Sequence, residues 1–129
     1  MATRHQARQA VVSLLYAYEM GTDSEEFLEE FLEDKKIRNE RKTQVVETFN
    51  QIRQKQDEID SVFKQYLKDE DISKVGLVER SIIRLGIFEI KFADTDKAVV
   101  INEAIELAKE LASDTSPRFI NAILDKVNK

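Results

Sequence analysis

Residues 78–92 read VERSIIRLGIFEIKF, and the fold class follows from this stretch. Placed on a helix, Val78, Ile82, Ile83, Leu85, Ile87, Phe88, Ile90 and Phe92 cover most of the circumference. Arg80, Arg84 and Lys91 form a narrow polar stripe, within about 40° of each other at 3.6 residues per turn. A helix that is apolar on nearly all sides must be packed on by several others, which predicts a central helix in an all-α fold. A strand is the weaker reading, because the stretch is long for one and its charges do not alternate. Glu79 and Glu89 fall inside the apolar arc. Their plain reading is a first-turn carboxylate favoured by the helix dipole and a paired carboxylate, respectively.

Composition agrees with helices. The chain has 129 residues, three Gly, one Pro and 35% charged residues, and strand-rich folds need more turn residues than that. The length suits one domain with a real core. There is no Cys and a single His, His5. This removes disulfides, thiolate zinc sites and a cysteine nucleophile, and makes an imidazole metal site a poor expectation. Gln9 and Ser13 break up the N-terminal apolar residues, so neither a signal peptide nor a membrane span is expected, and a cytoplasmic location is the default. A net charge of −5 argues against a general nucleic-acid binder. The charge is uneven, however: seven carboxylates and no base lie in 23–34, and five basic residues with one Glu lie in 35–42. Local patches of either sign are therefore compatible with the acidic total.

Working outward, residues 98–112 predict a helix with Val99, Val100, Ile101, Ala104, Ile105, Leu107, Ala108 and Leu111 apolar, and with Asn102 and Glu103 satisfying free N–H groups near its start. Ser116 is read as the cap of a last helix, with Pro117 at its first position and Phe119, Ile120, Ile123, Leu124 and Val127 buried. Upstream, 69–76 is the main break, with Ile72 and Val75 anchoring a short turn. It sets a boundary between approximate subdomains 1–70 and 71–129. A long helix is expected over about 39–67; its middle, 53–58, is polar all round, which fits a bend or a projecting segment. Thr22 or Asp23 caps an acidic second helix. The first helix, 3–20, buries Ala7, Ala10, Val11, Leu14, Leu15 and Tyr18, ends at Gly21, and leaves His5, Gln9, Val12 and Tyr16 on the solvent side. Arg4 and Arg8 edge the apolar face. Tyr16 reads either as an ordinary tyrosine or as a stacking platform beside cations, the usual way to hold a single-stranded base.

No catalytic constellation is present: GxSxG, Walker and GxGxxG patterns are all absent. Residue by residue, the chain reads as a non-enzymatic helical binding module, with a hint of RNA from Tyr16 and its basic neighbours.

The segments VERSIIRLGIFEI (78–90), AVVINEAIELAKEL (98–111) and SPRFINAILDKV (116–127) resemble the NusB family of transcription antitermination factors, and ATRHQARQAVVSLLYAYE resembles its Arg-rich first helix. Order and spacing agree over nearly the whole chain, and INEAIELAK combined with RFINAIL is the specific part. The resemblance implies two packed helical bundles forming one domain over 1–129, with no cofactor and no metal. It implies recognition of single-stranded boxA RNA jointly with the small-subunit ribosomal protein NusE, and loading with other Nus factors onto elongating RNA polymerase, notably on ribosomal RNA operons. Some members self-associate, so a homodimer is an alternative free state.

The RNA-facing positions that the resemblance carries over are Arg4, Arg8, Tyr16, Glu79, Arg84, Asp114, Arg118 and Phe119. Glu79, and Asp114 likewise, would accept from base amino groups. Two other readings compete: a protein-binding scaffold with no RNA contact, and the helical domain of an RNA methyltransferase.

Overall fold

A computed structural model describes residues 2–129. The described residues form α1 (Arg4–Glu19), α2 (Glu25–Asp34), α3 (Asn39–Gln54), α4 (Gln56–Gln65), a 3₁₀ turn (Ile72–Lys74), α5 (Leu77–Lys91), α6 (Lys97–Leu111) and α7 (Ser116–Asp125), with no strand among them. The fold is all-α, as the apolar girth of 78–92 predicts.

The chain divides into two units, one running through Arg53 and the other Gln54–Lys129. Sequence pattern alone puts the boundary near residue 70. The difference comes from the polar stretch 53–58, where the single long helix of the sequence reading breaks at Lys55 (φ −100°, ψ 13°) into α3 and α4. Ile59 and Phe63 of α4 are fully buried, and α4 packs on α5. Burial of Ile72 and Val75 then makes 69–76 a connection inside the second unit.

In the second unit α5 is the hub, touching α4, α6 and α7. Ile82, Ile83, Ile87 and Ile90 are at most 1% exposed, burial that stabilises by roughly 1.5–3 kcal/mol per side chain. Gly86 allows a close approach: a Cβ there would stand 2.8 Å from both Leu124 methyl carbons of α7. The stripe Arg80–Arg84–Lys91 does not stay open, since Arg84 is 5% exposed. Asp96 caps α6, its Oδ1 accepting from the Ala98 N–H at 2.8 Å. Asn102 and Glu103 therefore lie a turn beyond the N–H groups they were expected to satisfy.

In the first unit, a Thr3–Gln6 capping box starts α1, with Thr3 Oγ1 accepting from the Gln6 N–H at 3.0 Å and Gln6 Oε1 from the Thr3 N–H at 2.8 Å. Gly21 (φ +98°) closes it as expected. The Thr22 N–H reaches Ala17 O at 2.9 Å and the Gly21 N–H reaches Tyr18 O at 3.0 Å, the Schellman pattern. Ser24, rather than Thr22 or Asp23, caps α2, accepting from the Phe27 N–H at 3.0 Å. A second Schellman closure ends α2, with the Ile37 N–H on Leu32 O at 2.9 Å and Lys36 at φ 57°. Leu32 and Ile37 are both buried beneath it. The Tyr18 ring meets Phe49 of α3 edge-on at 6.3 Å, and Arg53 lies over both rings.

Candidate nucleic-acid interface

Each unit presents its own set of candidate contacts. On α1 the capping box fixes the helix start, which sets Arg4 on the first turn. Arg4 is exposed, Arg8 half-buried and Tyr16 38% exposed. Eight residues separate Arg8 from Tyr16, about 12 Å along the helix axis. A cation and an aromatic face at that spacing can contact the backbone and a base of one strand. The side read as solvent-facing is not uniformly open: Val12 is 2% exposed and His5 and Gln9 are half-buried. The buried stripe of α1 is thus wider than its spacing suggests, and Tyr16 stays outside it.

In the second unit the start of α7, the first turn of α5 and residues 67–76 enclose an open cleft of 390 Å³. Its lining includes Lys68, Lys74, Gly76, Glu79, Thr115 and Phe119. Phe119 is 37% exposed, and Asp114 and Arg118 beside it are exposed. Glu79 is held from α7, because the Ser116 hydroxyl donates to its Oε2. Ser116 Oγ in turn lies 2.8 Å from Ser113 Oγ, which lies 3.3 Å from Thr115 Oγ1. Ser116 is therefore not the cap of α7. It is the helix's first residue and is buried, while Thr115 occupies the cap position without a side-chain cap bond.

Arg84 does not belong with this exposed set. Its Nε donates to Asp60 Oδ1 at 2.9 Å and its Nη2 to Oδ2 at 3.1 Å. The two side chains are only 6% and 17% exposed. A guanidinium shielded and paired in this way has a structural role on α5. The wheel that grouped it with Arg80 carried no information about an acid on another helix.

Sequence reasoning missed Lys68, Lys74, Ser113 and Gly76, all in segments read as plain connections. Lys74 pairs with Asp69 at 2.8 Å on the surface. The hydrogen bond with Lys74 lowers the Asp69 pKa, and the same bond raises that of Lys74. Among the described residues no group of three or more His, Cys, Asp or Glu is arranged to hold a metal ion, and no helix is long and apolar enough to cross a membrane.

An all-α module that exposes Tyr16 on α1 and Phe119 on α7, with a carboxylate held in a cleft, is the class of protein the fold defines. The chain belongs to the NusB family, whose model matches residues 5–129. It is 64% identical over 125 residues to the transcription antitermination protein NusB of Campylobacter curvus, covering 97% of this chain and 95% of that protein. It is 58% identical to the NusB of Campylobacter concisus, covering 98% and 97%. Among solved structures, T. maritima NusB superposes with a TM-score of 0.87 at 30% identity, covering 98% of this chain and 92% of that one. A chain from the crystal structure of the antitermination factors NusB and NusE in complex with double-stranded RNA superposes with a TM-score of 0.85 at 27% identity, covering 96% and 94%.

Proposed function

We propose that this protein is a non-enzymatic transcription antitermination factor that binds single-stranded boxA-type RNA together with the ribosomal protein NusE. In that role it joins other Nus factors on RNA polymerase elongating through ribosomal RNA operons, in the cytoplasm. The observation that carries the reading is the full-length likeness to NusB proteins, one of them in a complex with NusE and RNA. The exposed aromatics support a single strand as the target, because Tyr16 and Phe119 can stack on base faces that the interior of a duplex covers with neighbouring bases. Arg4, Arg8 and Tyr16 contact RNA on the first unit, and Glu79, Asp114, Arg118 and Phe119 on the second. Arg84 acts through the fold.

The test is fluorescence anisotropy of a labelled boxA RNA, titrated with the protein, with and without NusE, at fixed moderate salt. Binding that exceeds that of a scrambled RNA and strengthens with NusE is the expected result. Equal binding of the two RNAs with NusE present would overturn the proposal in favour of a protein-only scaffold, and competition by a duplex of the same sequence checks the strandedness.

A further inference from the structure

We infer that Met20 is an oxidation-sensitive modification site: peroxide converts its thioether to the sulfoxide and so weakens the hold of α1 on RNA. The inference rests on the RNA-binding reading of Tyr16 above and adds to it a chemical change in the protein that controls the contact.

The geometry starts at Gly21. Its φ of +98° and the Schellman bonds behind it stop α1 at a fixed residue. Met20 is the C-cap, still in the right-handed helical region (φ −81°, ψ 0°), and its N–H donates to Tyr16 O at 3.1 Å. Met20 therefore stands one turn above Tyr16, about 6 Å along the axis and about 40° around it. Helical side chains lean toward the N-terminus, which carries the Met20 thioether back over the turn that holds Tyr16. Tyr and Met at this spacing make a favourable apolar pair.

Exposure singles the residue out. Met20 is 58% exposed, the most of any large apolar side chain among the described residues, against 45% for Val99. The chain has no Cys and two Met, so the Met20 thioether is the only sulfur among the described residues. A scattered apolar side chain on the surface needs no explanation. Met20 is not scattered, because Tyr16 on the same stripe is itself 38% exposed. A base stacked on the Tyr16 ring overhangs its edge, and a polarisable thioether is suited to meet the overhang.

Oxidation removes that fit. The Met20 sulfur attacks one oxygen of hydrogen peroxide, an S–O bond forms and the O–O bond breaks. The proton of the transferred oxygen passes to the departing hydroxide, leaving the sulfoxide and water. The sulfur loses the electron pair that the peroxide gains. The product is polar and chiral. Covering its oxygen with the face of a base strips water from it and supplies no donor in return.

The experiment treats the full chain alone with hydrogen peroxide, removes the peroxide, adds NusE and measures anisotropy of labelled boxA RNA. Peptide mass spectrometry is expected to place one added oxygen on Met20. Affinity is expected to fall about three- to tenfold, the order for losing one sulfur–aromatic contact. Met20→Leu, which keeps the apolar bulk without the sulfur, is expected to bind like the untreated wild type before and after peroxide. Met20→Gln is expected to show the loss without peroxide. In Tyr16→Ala the effect of peroxide is expected to shrink below about twofold, since the base no longer lies beside the thioether. A Met20 that peroxide does not modify, a fully oxidised protein with unchanged affinity, or an equal loss in Met20→Leu overturns the inference while RNA binding stands. So does a fall in melting temperature large enough to unfold the oxidised protein at the titration temperature. Failure of the untreated protein to bind the RNA would instead overturn the RNA reading, and this inference with it.

Discussion

Arg84 and Asp60 meet fork to fork beneath the surface of the second unit, two hydrogen bonds joining α5 to α4. Removing one partner leaves the other as a buried, uncompensated charge. Asp60→Ala is expected to lower stability by about 3 kcal/mol, the lower end of the range for breaking a buried pair, because Asp60 keeps some solvent contact. Urea unfolding followed by circular dichroism measures it, and a loss under 1 kcal/mol would show that water already screens the pair.

A substitution at Tyr16 tests the proposed RNA contact on α1. Tyr16→Ala is expected to cost roughly 1–3 kcal/mol of RNA affinity, the usual worth of one base stacked on an aromatic, with an unchanged melting temperature because the ring is partly outside the core. Arg4→Ala should instead flatten the dependence of log affinity on log salt by about 0.7, one single-strand phosphate contact. Anisotropy titrations at several salt concentrations read both effects, and a flat response to either change would remove α1 from the interface.

Lys36 sits at φ 57° at the end of α2, a region that costs a side-chain-bearing residue about 1–2 kcal/mol. Glycine has no such cost but loses more chain entropy. Lys36→Gly should therefore leave the protein as stable or raise its stability by up to about 1 kcal/mol. Gly21→Ala, at φ +98°, should lower it by a similar amount. A lower melting temperature for Gly21→Ala and an unchanged or higher one for Lys36→Gly are the expected outcome.

Lys129 reaches Asp94 at 2.8 Å, tying the last residue to the turn after α5. The hydrogen bond with Lys129 lowers the Asp94 pKa below its usual 3.8 and raises the Lys129 pKa above 10.5. A depressed carboxylate makes its contribution above the unfolded value and loses it as pH falls through the folded one. A raised ammonium makes its contribution below its unfolded value and loses it as pH rises through the folded one. The tether should accordingly hold between about pH 4 and pH 10. Carbon-detected NMR titration should find Asp94 below 3.8, returning upward in Lys129→Ala; an unmoved midpoint would mean that the contact does not form in solution.

Much of the fold is legible in local pattern because burial leaves a period. The girth of α5, the stop at Gly21, the turn held by Ile72 and Val75, and the side of α1 that Tyr16 occupies can all be read from spacing. What escapes is whatever depends on partners distant in sequence. Arg84 looks like surface until Asp60, 24 residues away, is brought to it. Ser116 has the chemistry of a cap, and only the approach of α5 turns its hydroxyl to Glu79. Val12 lies off the best stripe, yet it is buried. The choice between Thr22, Asp23 and Ser24 as cap is decided by backbone angles that three similar side chains in a row do not encode. In the cleft, apolar spacing reads Phe119 as part of the buried face of α7, yet it is 37% exposed, and only the resemblance to the family placed it on the RNA side; Lys68, Lys74 and Gly76 lay in a segment whose only visible property was irregularity.

The hydrogen bond from Ser116 to Glu79 also changes when ordering takes place. A free glutamate side chain gives up roughly 1–2 kcal/mol of rotamer entropy when it is fixed. Here that loss accompanies folding, before any strand arrives. A ligand entering the cleft would then meet a receptor already ordered, and such preorganisation shows in slow release rather than in fast arrival.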